Sequence, residues 1–166
     1  TARVRYWDKA GTEDGGKYSC GVLMGKASDN RIFVEDVVRG QWSALGREQA
    51  MLTTAKMDNA QYGNVEIWNE QEPGSGGKES AEATSRNLAG FNIHSERATG
   101  DKSIRALPFA AQCEAGNVYL LKGDWNRGYI DELTAFPHGA YADQVDGSSG
   151  AFNKIFSSII SWTNVQ

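Results

Sequence analysis

Four acidic side chains in this sequence have the type and placement needed to hold divalent metal ions. Asp8 ends the first predicted strand, Glu70 follows a later one, and Asp143 and Asp146 open the last predicted helix. Acids at the ends of neighbouring strands meet at one edge of a sheet, and helix residues at i and i+3 share a face. Carboxylates are ligands that Mg²⁺ and Mn²⁺ prefer, and two such ions about 4 Å apart promote in-line hydrolysis of a phosphodiester. Taken singly, each acid also fits a helix cap or a solvated strand end, so the pattern leaves both interpretations open.

A glycine-rich segment at residues 74–78 (GSGGK) also invites a phosphate-binding interpretation. A nucleotide-binding loop requires G-x-x-x-x-G-K followed by Ser or Thr, whereas these glycines are too closely spaced and Glu79 follows the lysine. We therefore predict a flexible loop beside the acids, in which Lys78 contacts a nucleic-acid phosphate. His94 and His138 have no metal-ligand spacing to any Cys or His, and His94 is interpreted as structural.

The spacing of the hydrophobic residues predicts the strands and helices that must position these side chains. Strands at 4–8, 18–26 and 31–39, the last two joined by turn residues, predict an antiparallel meander. Helices and single strands then alternate, so the chain is predicted to be an α/β domain with a mixed sheet between helices. The later strands are predicted at 65–68, 91–94 and 118–121, and the helices at 43–58, 79–89, 103–114, 131–136 and 143–160. The last helix carries an apolar stripe of Val145, Phe152, Ile155, Phe156, Ile159 and Ile160.

The net charge is small and unevenly distributed. The chain has 17 basic and 21 acidic side chains, a net charge of −4, which argues against a protein that coats nucleic acid by bulk charge. Residues 64–82 contain five glutamates and one lysine, whereas residues 97–127 contain five basic and three acidic side chains. We therefore expect the acidic residues of 64–82 to lie beside the metal ions, and the basic residues of 97–127 to form a modest basic face toward the nucleic-acid phosphates.

Length and cysteine content limit the class further. A chain of 166 residues predicts one domain, at 1–166. Cys20 and Cys113 have no partner at C-x-x-C spacing and no secretory signal precedes them, so both are predicted to be reduced thiols. No apolar run reaches about 18 residues, so no membrane partner is expected. Because a strand follows almost directly on Thr1, we expect a domain of a longer polypeptide.

Three stretches of the sequence, in order, resemble the nuclease domain of bacteriophage terminase large subunits. Residues 6–12 (YWDKAGT) resemble the first acidic motif of that family, and residues 70–78 (EQEPGSGGK) resemble its second. Residues 101–132, then 136–137 (FP) and 143–146 (DQVD), resemble its third region. Each motif alone is weak, but the ordered set covers nearly the whole chain and is specific.

The resemblance implies a ribonuclease H-like fold and a metal-dependent endonuclease that cuts double-stranded concatemer DNA during viral genome packaging. It implies that Asp8, Glu70 and Asp143 are catalytic. The same three acids, together with Asp146, are implied as ligands of two Mg²⁺ or Mn²⁺ ions, with Asp8 bridging. Glu72 is the alternative to Glu70 as the second ligand.

Lys78, Lys102 and Arg105 are the candidates for DNA contact. The implied partners are double-stranded DNA, the portal, the small terminase subunit and the ATPase domain of the same polypeptide. That ATPase domain is not part of this chain, in agreement with the lack of a nucleotide-binding loop. The implied location is the host bacterial cytoplasm and, transiently, the viral prohead.

One position departs from the family pattern. The family often has Asp-Asp-Gln-Val-Asp in its third motif, where this chain has Ala142 before Asp143. The position of a possible ligand is therefore filled by a methyl group. Two alternatives follow: a catalytically impaired module that binds DNA or docks on the packaging motor, and a nuclease of the same fold that resembles a Holliday-junction resolvase.

Overall fold

One mixed sheet organises the chain, with helices on its two faces. The computed structural model describes residues 1–10, 16–97 and 99–160. Within them the strands are β1 (Ala2–Asp8), β2 (Ser19–Lys26), β3 (Ile32–Gly40), β4 (Glu66–Gln71), β5 (Asn92–Arg97) and β6 (Val118–Leu120). The helices are α1 (Ala44–Tyr62), α2 (Ser75–Asn87), α3 (Lys102–Glu114), α4 (Asn126–Ala135) and α5 (Asp143–Ile160).

The sheet has the strand order β5-β4-β1-β2-β3-β6. β1, β2 and β3 form the predicted antiparallel meander, in which Val4 lies opposite Met24 and Met24 opposite Val34. β4 is parallel to both β1 and β5, and β6 is parallel to β3. The mixed sheet predicted from the order of elements is thus confirmed. It makes β1 a central strand whose carboxyl end lies beside that of β4.

Alternating side chains of β1 belong to two separate cores. Val4 and Tyr6 pack with β2, β3 and α5, whereas Trp7 packs against α1 and β4 on the other face. The apolar stripe predicted for α5 is confirmed by the buried residues Val145, Phe152 and Ile155 and the half-buried Phe156. The side chains of Ile159 and Ile160 lie outside the described part of the structure. Burial of apolar side chains on both faces stabilises the sheet between its helices.

The segment 74–78 is helical from Ser75 onward, so the prediction of a loop there was wrong. Gly74 precedes α2 with φ of 91°, a backbone conformation that glycine adopts without steric cost. Gly77 passes so close to the preceding turn that a Cβ atom would lie 1.9 Å from the carbonyl oxygen of Glu72. Gly74 and Gly77 therefore permit the tight turn between β4 and α2.

Other element boundaries differ by several residues. Ser43 caps α1 as predicted, because its hydroxyl accepts a hydrogen bond from the Gly46 amide at 3.1 Å, but the helix continues to Tyr62. α4 begins at Asn126 and ends at Ala135, so it contains residues 131–135 of the stretch predicted to lie in a helix. β4 extends through Gln71, so Glu70 lies within the strand.

Cys20 is buried, Cys113 is exposed, and both are free thiols. Among the residues that the structure describes, no helix combines the length and apolar character needed to cross a membrane.

Candidate functional site

The carboxyl ends of β1 and β4 and the start of α5 meet at one edge of the sheet. Because the two strands are parallel neighbours that end side by side, Asp8 lies next to Glu70. α5 packs across β1 and β2, and its first turn contributes Asp143 and Asp146. All four side chains line one open pocket of about 490 Å³. The structure therefore brings together the four acids that the sequence singled out.

Other residues singled out from the sequence differ in their distance from this pocket. Glu72, Lys102 and Ala142 also line it. Lys78 instead is exposed in the first turn of α2 and is not among the lining residues. Residues 11–12, the end of the first motif, lie outside the described part of the structure.

The surroundings of Asp8 in the pocket disfavour ionisation of its carboxyl group. Burial first, and then the carboxylates of Asp146 and Glu70, raise the pKa of Asp8 to about 7, against the opposing effect of Lys102. Like charges at one site disfavour ionisation of each carboxyl group. In the described part of the chain no cationic side chain lies within ion-pair distance of Asp8. Asp8 is thus the one acid of the four that has no cationic partner among the described residues.

Two cations of α3 each contact one carboxylate of the pocket. Lys102, at the start of the helix, pairs with Oδ2 of Asp146. One turn later, Nη1 of Arg105 lies 3.2 Å from Oε2 of Glu70. Both cations were candidates for DNA contact, and the structure places them directly beside candidate metal ligands.

A third cation, Arg39 at the end of β3, was missed by the sequence reasoning. Its Nε and Nη2 donate to the two carboxylate oxygens of Asp143, at 2.6 Å and 3.2 Å. The two residues are separated by 104 positions in the sequence, so no local pattern reveals the pair. The only available signal was a basic residue at the end of a strand that borders the predicted acidic edge.

Buried hydrogen bonds from α5 to Glu132 of α4 fix the start of α5. Both carboxylate oxygens of Glu132 accept hydrogen bonds from Gln144: Oε1 from its backbone amide at 2.7 Å and Oε2 from its side chain at 2.6 Å. Glu132 also pairs with Arg39 at 3.2 Å. Unsatisfied amides at a helix start are stabilised by such acceptors, so the first turn of α5 is held in a defined orientation.

The donor set of the pocket fits a hard divalent cation. Its ligand candidates are all carboxylates, which suit Mg²⁺ and Mn²⁺, and their mutual repulsion at Asp8 would be relieved by a positive ion. Across residues 1–10, 16–97 and 99–160, no three His, Cys, Asp or Glu side chains form a ready-made metal site. Metal ligation would therefore require the carboxylates to turn toward a shared ion.

Comparisons with known proteins agree with this architecture. Residues 5–155 match a family model described as the terminase RNaseH-like domain. Two solved structures of the large terminase nuclease from the thermophilic phage G20c, one with bound magnesium and one with bound zinc, superpose with TM-scores of 0.66 and 0.65. Their sequences are 14% and 16% identical to this one, and each match covers 92% of this chain and 81% of the other. No curated protein matches the chain. The ribonuclease H-like fold expected from the sequence is thereby confirmed.

Proposed function

Because this chain belongs to the family of terminase RNase H-like nuclease domains, we propose that it cleaves double-stranded concatemer DNA during viral genome packaging. The observation that carries the proposal is the crowding of three carboxylates around that of Asp8 at one sheet edge. A structural ion-pair network would pair every carboxylate with a cation, whereas Asp8 has no ion-pair partner among the described residues. An unpaired carboxylate among neighbouring acids in an open pocket is typical of a site for divalent cations.

In this proposal Asp8, Glu70 and Asp143 are the catalytic acids, and Asp146 joins them in holding two Mg²⁺ or Mn²⁺ ions. Asp8 would be shared by the two ions, since acids of both β4 and α5 lie close to it. Glu72, which also lines the pocket, remains the alternative to Glu70. When bound, the ions would supply an activated water and stabilise the leaving oxygen of a phosphodiester.

The cations around the pocket would orient the DNA backbone. Lys102 and Arg105 contact Asp146 and Glu70, so a phosphate bound beside these carboxylates would lie within reach of both. Lys78, on the exposed side of α2, would contact the backbone farther from the cleaved bond. These contacts carry no base-reading geometry, so low sequence selectivity is expected.

The packaging context adds proposed partners. The chain would act beside the ATPase domain of the same polypeptide, the portal and the small terminase subunit. It would do so in the host cytoplasm and, transiently, at the prohead. The partners would supply DNA translocation and the timing of cleavage, while the pocket described above would cut the strands.

Cleavage of supercoiled plasmid with Mn²⁺, Mg²⁺ or EDTA tests the proposal. We expect nicked and linear products only with the metal ions, and their loss in Asp8→Asn. Asp131→Asn is the matched control, because Asp131 is an exposed acid of α4 and its loss should leave cleavage unchanged. Metal-dependent cleavage that persists in Asp8→Asn would contradict the proposal. Preference for a four-way junction over linear duplex would instead favour the resolvase-like alternative.

The second candidate function is a catalytically impaired module that binds DNA or docks on the motor. It is favoured by one observation: Ala142 lines the pocket at the position where the family often has an acid. Wild-type chain that shifts DNA in a gel without cutting it would support this alternative. Ala142→Asp should then restore cleavage, whereas Ala140→Asp, in the same pocket, should not. Cleavage by the wild type would exclude it.

A further inference from the structure

We propose that Arg39 is a positioning residue that sets the orientation of Asp143 toward the metal ions, an inference that rests on the proposed nuclease function. Arg39 is the second-last residue of β3 and lies opposite Cys20 of β2, while Cys20 lies opposite Asp8 of β1. Arg39 thus lies at the same sheet edge as Asp8, on the far side of β2. From there it reaches the first turn of α5.

The contact between Arg39 and Asp143 is bidentate. Nε lies 2.6 Å from Oδ2 and Nη2 lies 3.2 Å from Oδ1, so the planar guanidinium holds the plane of the carboxylate. An ionised carboxylate has about four lone-pair sites on its two oxygens, and the pair uses one site on each. The remaining sites stay available for a cation, with their direction fixed by Arg39.

Two tyrosine rings and a second carboxylate also contact the guanidinium of Arg39 and hold it in place. Its guanidinium lies 3.6 Å from the ring centroid of Tyr18 and 5.2 Å from that of Tyr141. The two rings pack edge to face, 5.1 Å apart. Glu132 accepts a further contact at 3.2 Å. A guanidinium fixed by stacking and two carboxylates loses little conformational entropy when it orients a ligand.

The cations of α3 are arranged differently. Lys102 has a side chain that is 57% exposed, and it contacts a single carboxylate oxygen of Asp146. Arg105 likewise contacts one oxygen of Glu70. Neither fixes the plane of its carboxylate, so the role assigned to Arg39 is specific to the Asp143 side of the pocket.

Isothermal titration of Mn²⁺ into the purified chain tests this role. Arg39→Lys keeps the positive charge but loses the bidentate geometry. We expect its Mn²⁺ affinity to fall about 10- to 100-fold, as for residues that orient metal ligands. Arg31→Lys, at an exposed arginine in the turn before the same strand, is the matched control and should bind as the wild type does.

A double-variant cycle identifies the route of the effect. If Arg39 acts through Asp143, Arg39→Lys should lower Mn²⁺ affinity little further in an Asp143→Asn background. Wild-type affinity in Arg39→Lys, even with a lowered melting temperature, would mean a merely structural role and would overturn the inference. A full additional loss in the Asp143→Asn background would overturn it as well.

The same titration separates this inference from the proposed function. Asp8→Asn should abolish Mn²⁺ binding if the pocket is the metal site. Loss of binding in Asp8→Asn together with unchanged binding in Arg39→Lys would refute only the role of Arg39. Unchanged binding in Asp8→Asn, or none in the wild type, would refute both.

Discussion

Two clusters of charged side chains involve β1, one on its α1 face and one at its end, and they differ in whether the β1 residue at their centre has ion-pair partners. On the α1 face, Arg5 is 1% exposed and donates to both oxygens of Asp58 at 2.8 Å, to Asp36 at 2.8 Å and to the Gly21 carbonyl at 3.0 Å. Each of its donor nitrogens has an acceptor. At the strand end, Asp8 has no ion-pair partner among the described residues.

The consequences for ionisation also differ. Burial would lower the pKa of Arg5, but Asp58 and Asp36 outweigh it and raise that pKa, so the guanidinium stays charged and satisfied. At the other cluster, burial and neighbouring carboxylates raise the pKa of Asp8 to about 7. Burial is therefore common to a structural and a candidate functional cluster. What separates them is that Arg5 is fully paired, whereas Asp8 faces an open pocket without an ion-pair partner among the described residues.

The largest effect is expected where the cluster around Arg5 is broken. Arg5→Met leaves Asp58 buried without its partner, and removal of one member of a buried pair costs about 3–5 kcal/mol. Denaturant unfolding should show a loss of that size in the free energy of unfolding. The double variant Arg5→Met with Asp58→Leu should recover most of it, because no unpaired buried carboxylate then remains: Asp36, the other partner of Arg5, is partly exposed. A loss below about 1 kcal/mol would mean that the buried pair of Arg5 and Asp58 does not stabilise the fold.

A smaller effect, on activity, is expected at the cluster around Asp8. Lys102→Gln removes a positive charge beside Asp146, where a phosphate is proposed to bind. We expect the cleavage rate to fall about a hundredfold, comparable to loss of one transition-state donor, with little change in melting temperature. Lys122→Gln, at an exposed lysine after β6, is the control. Equal cleavage rates for the two variants would remove Lys102 from the proposed DNA contacts.

The smallest effect is expected for Lys78, which lies away from the pocket. An exposed charge contributes on the order of 0.5–1 kcal/mol, so Lys78→Gln should weaken DNA binding about two- to fivefold. The slope of affinity against salt concentration should also decrease by about one. Fluorescence anisotropy with a labelled duplex at several salt concentrations measures both quantities. An unchanged slope would show that Lys78 makes no phosphate contact.

The sequence predicted those parts of the fold and site that depend on local pattern. The meander, the apolar stripe of α5 and the meeting of Asp8 with Glu70 follow from alternation, helical spacing and strand ends. The start of α2 did not, because the glycines at residues 74–78 have the composition of a loop. Only the close approach of Gly77 to Glu72 shows why a helix has glycine there.

The cationic side of the site was harder to predict. Lys102 and Arg105 were singled out for DNA contact, but their pairing with Asp146 and Glu70 depends on how α3 packs against α5 and the sheet. The pair of Arg39 and Asp143 joins β3 to α5 and has no trace in local spacing. Long-range electrostatic contacts of this kind require the tertiary structure.

Mn²⁺ binding to Asp8→Asn and Asp36→Asn tests the central claim most directly, because it removes one acid from each cluster. Asp36 contacts Arg5 and is partly exposed, so Asp36→Asn should fold and bind Mn²⁺ as the wild type does. Asp8→Asn should fold and show no Mn²⁺ binding by isothermal titration. Equal Mn²⁺ affinity in Asp8→Asn and the wild type would contradict the assignment of the metal site to the cluster around Asp8.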